Sequence, residues 1–306
     1  MIDLFATLAQ GLFSAVSMFL LASWLCALLY LAYQRLSPQL SLTSQALLTL
    51  AYVMIAPLSA ILAVVVLSQP AIAAIVVYEH CHGAECVAHA PAPIFDSFTG
   101  ASLIAAVSVL VILLIVLLTR RLHRAYHQQL SLAAIASEAN SSPSLPYKVI
   151  ESPDLLAWCA GWLFPRVYLS RGLLNQLNAS ELTAVLAHEH GHCLRRDNLR
   201  KLVISWASLG WPPFWRTKLL DDYSRLSEQL ADQYSTTVSG QAELLNNIYA
   251  RLQNGTGKHY RHRLQPGGKQ TVSQGVTGLV CGLLALWFVC LTSTLTIVAH
   301  ILLEKL

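Results

Sequence analysis

Four stretches of this chain contain no Asp, Glu, Lys or Arg: Leu4 to Gln34, Leu36 to Tyr78, Ser97 to Thr119, and Gln270 to Leu303. A helix that crosses a bilayer needs about 20 mainly apolar residues, and each stretch holds one such run. They predict transmembrane helices at about 12–32, 46–67, 101–118 and 276–299. A cleaved signal peptide is not expected from the first run, which is too long and lacks a basic leader. Nearly all remaining charge falls in one block, Arg120 to Lys269. Charged residues make up only 12% of the chain, against about 25% in soluble domains. The pattern excludes a disordered chain, a disulfide-stapled miniprotein and a purely soluble enzyme. It predicts three spans within 1–119, a water-facing unit at 120–269 large enough for one core, and a fourth span with a short tail in 270–306.

Basic residues flank spans on the cytoplasmic side. With the N-terminus outside, Arg35 and the 18 Lys and Arg between Arg120 and Lys269 fall inside, 19 of the chain's 20, leaving only Lys305 outside. Arg120, Arg121 and Arg124 directly after the third run act as the stop signal. The expected topology is therefore a multi-pass protein of a bacterial inner membrane. Both termini lie outside and the 120–269 unit lies in the cytoplasm. The basic residues are scattered and lack interleaved aromatics, so direct binding of nucleic acid is not expected; the bilayer is the evident partner.

The charged block contains Glu181-Leu-Thr-Ala-Val-Leu-Ala-His-Glu-His-Gly-His192. His188, Glu189 and His192 form an HExxH motif. Positions i and i+4 share one helix face, so both imidazoles can converge on one zinc ion per chain, with Glu189 beside it as general base. Asn178 followed by Glu181 predicts a capped helix start, and Leu182, Val185 and Leu186 its apolar stripe. His190 should point away from the metal. Downstream, Leu219 to Val238 has helical periodicity and carries Glu228 and Asp232. Glu228 supplies a third ligand, and Asp232, one turn on, can orient His188 or His192. Tyr223, Tyr234 and Arg196 are available as oxyanion donors, and the sequence does not choose between them. Pro165 to Ser170 reads as a strand, either an edge that could hold an extended peptide or part of a core sheet.

These residues carry a resemblance. Ala157-Trp-Cys-Ala-Gly161, Pro165 to Leu174, and Glu181 through Asp197 resemble the membrane metallopeptidases of the BlaR/MecR type. The HtpX-type membrane proteases, more distantly similar, share HExxH and the later Glu-x-x-x-Asp. The resemblance implies an α-helical membrane protein of four transmembrane helices with an inserted, mainly α (α+β) gluzincin-like zinc metallopeptidase domain. It implies His188, His192 and Glu228 as ligands and Glu189 as base. It also implies signalling, in which an outside stimulus triggers cleavage of a transcriptional repressor or of the protein itself. Members that sense β-lactams carry a penicillin-binding domain after the last span; this sequence ends at Leu306, and β-lactam sensing is not expected. The alternatives are a quality-control protease of the HtpX kind and a non-catalytic metal-binding receptor. The intact Glu189 counts against the receptor.

The outward segment 68–97 contains Glu79-His-Cys-His-Gly-Ala-Glu-Cys86 and His89. Cys81 and Cys86 could close a disulfide in an oxidising compartment, or join His80, His82 and His89 as a metal or redox sensor. Cys26, Cys281 and Cys290 read as apolar fillers within spans. Cys159 and Cys193 are expected as reduced thiols, with Cys193 turned off the metal side. Residues 131–146 and 254–268 read as polar linkers. The substrate bond, the stimulus and the oligomeric state are not written in the sequence.

Overall fold

The computed structural model describes residues 2–69, 72, 81–82, 85–86, 98–138, 145–241, 243–256 and 274–305. In hydrocarbon every backbone group must find its partner within the segment, which leaves the helix as the form for an isolated apolar run. α1 (Ile2–Leu36) and α2 (Leu42–Leu67) run antiparallel, joined by a single 3-10 turn at Ser37–Gln39. Ser41 starts α2 by accepting a bond from the Ser44 backbone N–H. α3 (Phe98–Ile135) packs on α1, and α9 (Gln274–Lys305) on α2 and α1. Three helical segments among the described residues are long and apolar enough to cross a membrane: Gly11–Gln39, Leu42–Leu67 and Gly275–His300. The expected third span, 101–118, falls within the 38-residue α3.

In the 68–97 segment, β1 (Cys81–His82) pairs antiparallel with β2 (Glu85–Cys86), setting Cys81 opposite Cys86 and His82 opposite Glu85 along the backbone. His80 and His89 lie outside the described residues, as do 139–144 and 257–268 of the two expected polar linkers; the first of these begins as regular structure, since α3 continues to Ile135 and a short strand takes Ser137–Glu138.

A four-stranded sheet follows, built from β3 (Ser137–Glu138), β4 (Lys148–Ile150), β5 (Ala157–Ala160) and β6 (Arg166–Ser170), in the order β3-β4-β6-β5. β4 and β6 are parallel, while β3–β4 and β5–β6 are antiparallel. Of the two readings of Pro165–Ser170, the core sheet is the one found. Val167 to Ser170 are buried, and the edge belongs to β5, because the chain reverses through Gly161 (φ 110°) and lays β5 on the outer side of β6.

Helices α4 (Arg171–Leu174), α5 (Ala179–Arg195), α6 (Asp197–Ala207), α7 (Pro213–Ser239) and α8 (Leu244–Thr256) complete this part. α5 lies along α7 and is flanked by β5, β6 and α8. Two apolar cores result. The smaller joins Val167, Leu169 and Leu173 to Ala184, Val185 and Leu186 of α5 and to Leu245 and Ile248 of α8. The larger is continuous from α1, α2 and α9 into α6 and α7, through Ile204, Trp211, Leu219, Tyr223, Leu226 and Leu230.

Candidate metal centre

The start of α5 follows from its first four residues. The Asn178 side chain accepts from the Glu181 N–H, and the Glu181 carboxylate accepts from the Asn178 N–H, satisfying two donors that a helix start leaves bare. Arg251 of α8 holds the same carboxylate. The helix thus enters the core rigidly and carries His188, Glu189 and His192 past α7.

α5 and α7 cross closely because Gly191 lies between them. A Cβ on Gly191 would sit 3.2 Å from the Ala231 Cα and 3.4 Å from the Tyr234 Cβ. This approach brings Glu228 to both histidines. His188 Nε2 and His192 Nε2 are 3.3 Å apart, and Glu228 Oε2 lies 3.5 Å from the first and 3.4 Å from the second. Zinc bonded at about 2.0–2.1 Å in a tetrahedron has ligand atoms about 3.3–3.4 Å apart. The triangle therefore has the size of one face of that tetrahedron, and these three residues could hold a metal ion. Zinc would also suit the two imidazole nitrogens, which face each other across a gap where lone pairs alone would repel.

The opposite ring nitrogens are held by carboxylates. Asp232 Oδ1 is 2.9 Å from His188 Nδ1. His192 Nδ1 donates to Asp197 Oδ2 at 2.8 Å, and the same oxygen accepts from Arg195 Nη2 at 2.7 Å and Ser227 Oγ at 2.8 Å. A carboxylate on Nδ1 keeps the proton there and turns the Nε2 lone pair toward the metal. Of the two histidines that Asp232 could have served, it faces His188. Asp197 was not legible as its counterpart, because its position depends on Arg196 entering the left-handed region (φ 51°, ψ 48°) between α5 and α6. An acid five residues past the second histidine was the available signal.

The electrostatics fit a cation. Burial opposes charge on His188, but Asp232 and Glu228 outweigh it and raise its pKa to about 10. Burial opposes charge on Asp197 too, yet His192 and Arg195 hold its carboxyl below the ordinary carboxylate range. Burial pushes Glu189 up, against the pull of His188 and His192. A group so placed holds and releases a proton nearer neutrality than a free carboxylate does. Lys201 Nζ lies 3.7 Å from the remaining Glu228 oxygen.

β5 serves this site in a way the sequence did not disclose. The Cys159 backbone favours the ionised form of the Glu189 carboxylate, and the Cys159 carbonyl accepts from Asn198 Nδ2 at 3.0 Å. The outward Cys159 carbonyl of the edge strand thus fastens α6. Cys159 and Cys193, expected as separate thiols, are joined as a disulfide. Cys193 is one residue, about 100° of helix, beyond His192, which turns it off the metal side and against β5.

His190 points away from the metal, its Nε2 bonded to the Pro146 carbonyl at 2.9 Å. Tyr223 is buried and interacts with Arg200. Tyr234 lies beside Gly191, and Arg196 caps α5. Cys81 and Cys86 are described by their backbone pairing in β1 and β2.

Residues 117–262 match the family model of peptidase family M48. That family's members are zinc-dependent metallopeptidases, and the matched segment contains the centre. No curated protein and no solved structure matches the chain.

Proposed function

We propose that the protein is a membrane-embedded zinc endopeptidase in which His188, His192 and Glu228 hold the metal and Glu189 is the catalytic base. The observation that carries this reading is the ligand triangle of 3.3–3.5 Å with the buried Glu189 beside it. Zinc bound there would polarise a carbonyl oxygen and acidify a water. Glu189, buried beside the ligands, would take a proton from that water on its carboxylate and return it to the departing amine. Asp232 and Asp197 keep the two imidazoles in the ligating tautomer, and Arg195 and Ser227 fix Asp197 in turn.

We further propose the BlaR/MecR-like role: an outside stimulus, sensed by the Cys81–Cys86 segment, releases cleavage of a cytoplasmic repressor or of the chain itself. Supporting it are the Cys and His residues crowded between Glu79 and His89, and the core that runs unbroken from α1 and α2 into the helix bearing Glu228. The orientation with the centre on the cytoplasmic side rests on the placement of Lys and Arg.

The test maps new protein N-termini in cells expressing the wild type or Glu189→Ala, with and without copper and a thiol oxidant outside the cell. A few cleavages that need both Glu189 and the stimulus are expected. Broad, stimulus-independent cleavage of membrane proteins would replace this role with quality control. Absence of any Glu189-dependent cleavage would remove the catalytic reading in favour of the receptor.

A further inference from the structure

The segment between the two halves of the metal centre has no part in the chemistry and an unusual composition. From Leu202 to Trp215 it reads LVISWASLGWPPFW, fourteen residues without a charge. It forms the end of α6, the turn at Ser208–Pro212 and the start of α7.

Two helical rulers give the position of this turn. A Cβ on Gly210 would lie 2.6 Å from Ser23 Oγ and 3.1 Å from Phe19 Cε1, so the turn touches α1 at Ser23. Ser23 is 13 residues before the end of α1 at Leu36, about 20 Å along its axis at 1.5 Å per residue. Trp211 stacks edge-on against Tyr30 and Tyr52 at 5.5 and 6.2 Å, and Tyr52 is ten residues into α2, about 15 Å. α7 gives the same answer. Asp222 accepts from Tyr30 and Gln34 near the end of α1, and Pro213 lies nine residues earlier, about 13 Å deeper. The hydrocarbon core of a bilayer is about 30 Å thick.

The surface of the turn suits that depth. Its exposed residues are Leu209, Pro213, Phe214 and Thr217, with Phe214 at 70%, and α1 likewise exposes Leu20, Trp24 and Leu28. The Thr217 hydroxyl donates back to the Pro213 carbonyl at 3.0 Å. The first charge, Arg216, is turned inward, its Nη2 donating to Ser205 O at 3.1 Å and Ser205 Oγ at 2.9 Å. A charge on a water-facing turn has no need of internal partners; one at membrane depth does.

We propose that the α6–α7 turn is a re-entrant wedge, with Leu209 and Phe214 in contact with lipid acyl chains beside α1 and α2. It enters and leaves on the same side, because fourteen residues split between two helices are too few to cross. Glu228, six residues beyond Asp222, is thereby held about 9 Å past the level where α1 meets Asp222. The proposal rests on α1 and α2 crossing a bilayer and is independent of the catalytic reading.

The test uses the full chain in vesicles of phosphatidylcholine and phosphatidylglycerol. Nitroxides are attached at Leu209→Cys and Phe214→Cys in an otherwise cysteine-free background, with Leu28→Cys as the lipid reference and Gln233→Cys, exposed on α7 itself, as the water reference. At 209 and 214, relaxation by oxygen should exceed relaxation by a water-soluble nickel chelate, as at 28 and opposite to 233. Water-like values overturn the proposal, and so does protection from both reagents, which would mark a protein partner. Phe214→Asp with all native cysteines gives a second reading. It should lower the unfolding temperature in vesicles by about 5 °C or more; an unchanged temperature overturns the wedge, since a charge on a water-exposed site costs almost nothing.

Discussion

α7 has two faces held by different forces. Toward α5 it presents Ser227, Glu228, Asp232 and Ser235, each making directional contacts: Ser227 to Asp197, Glu228 and Asp232 to the histidines, and Ser235 Oγ to the Ala184 carbonyl at 2.7 Å. Toward α1 and α2 it presents Leu219, Leu226 and Leu230, held mainly by buried area, with Asp222 as a polar anchor to Tyr30 and Gln34. A directional contact fails when an atom is lost, whereas an area contact fails in proportion to the volume removed. Substitutions on the first face should therefore change the chemistry sharply at little cost in fold, and those on the second the reverse.

The sharpest test of that contrast is on the metal face. Glu228→Ala should abolish both zinc retention, read by metal analysis of the purified protein, and cleavage of a quenched fluorescent peptide. Glu189→Gln should keep the zinc and still lose about 10²–10⁴-fold in turnover. Loss of zinc in Glu189→Gln would place that residue among the ligands. On the side toward α1 and α2, Trp211→Ala, in the turn that leads into α7, removes a buried indole packed against Tyr30 and Tyr52 and should cost about 3–5 kcal/mol in unfolding, while the folded fraction retains zinc at full stoichiometry. If zinc affinity falls as well, the two faces are not separable.

Asp197→Asn keeps the shape but weakens the partner of His192. It should lower zinc affinity about 10–100-fold in a competition titration with a chelator, with little change in melting temperature. The smallest effect belongs to the helix start. Asn178→Ala should cost about 1 kcal/mol and leave the zinc stoichiometry intact. Arg251 holds Glu181 below its ordinary pKa, so the contribution of that pair is present above the carboxylate's unfolded pKa of about 4.3. It is lost as pH falls through the lower folded value, and Arg251→Ala should flatten the acid limb of the stability profile.

Features set by local spacing were readable in the chain. The pairing of His188 with His192, the reciprocal cap between Asn178 and Glu181, and a downstream helix carrying Glu228 and Asp232 all follow from i+3 and i+4 rules, and the structure brings these residues together. What escaped depends on where distant segments meet. Asp197 reaches His192 only because Arg196 takes a left-handed conformation. The contact of Cys159 with Cys193 needs β5 on the outside of β6, an order that hydrophobic alternation does not encode. The run from Leu202 to Trp215 is too short to register as a span, and its place beside α1 and α2 emerges only where Gly210 meets Ser23 and Trp211 meets Tyr30 and Tyr52.

The larger core passes from α2 through Trp211 into α7 without a break, which bears on how the molecule comes apart. Units that share a core melt as one, and their stabilities cannot be assigned separately. A peptidase fragment cut free of α1 and α2 would carry Ile204, Leu219, Leu226 and Leu230 as a bare apolar face, the kind of surface that drives aggregation. The apolar helices α1, α2 and α9 are therefore part of the same fold as α6 and α7, and these five helices form one cooperative unit.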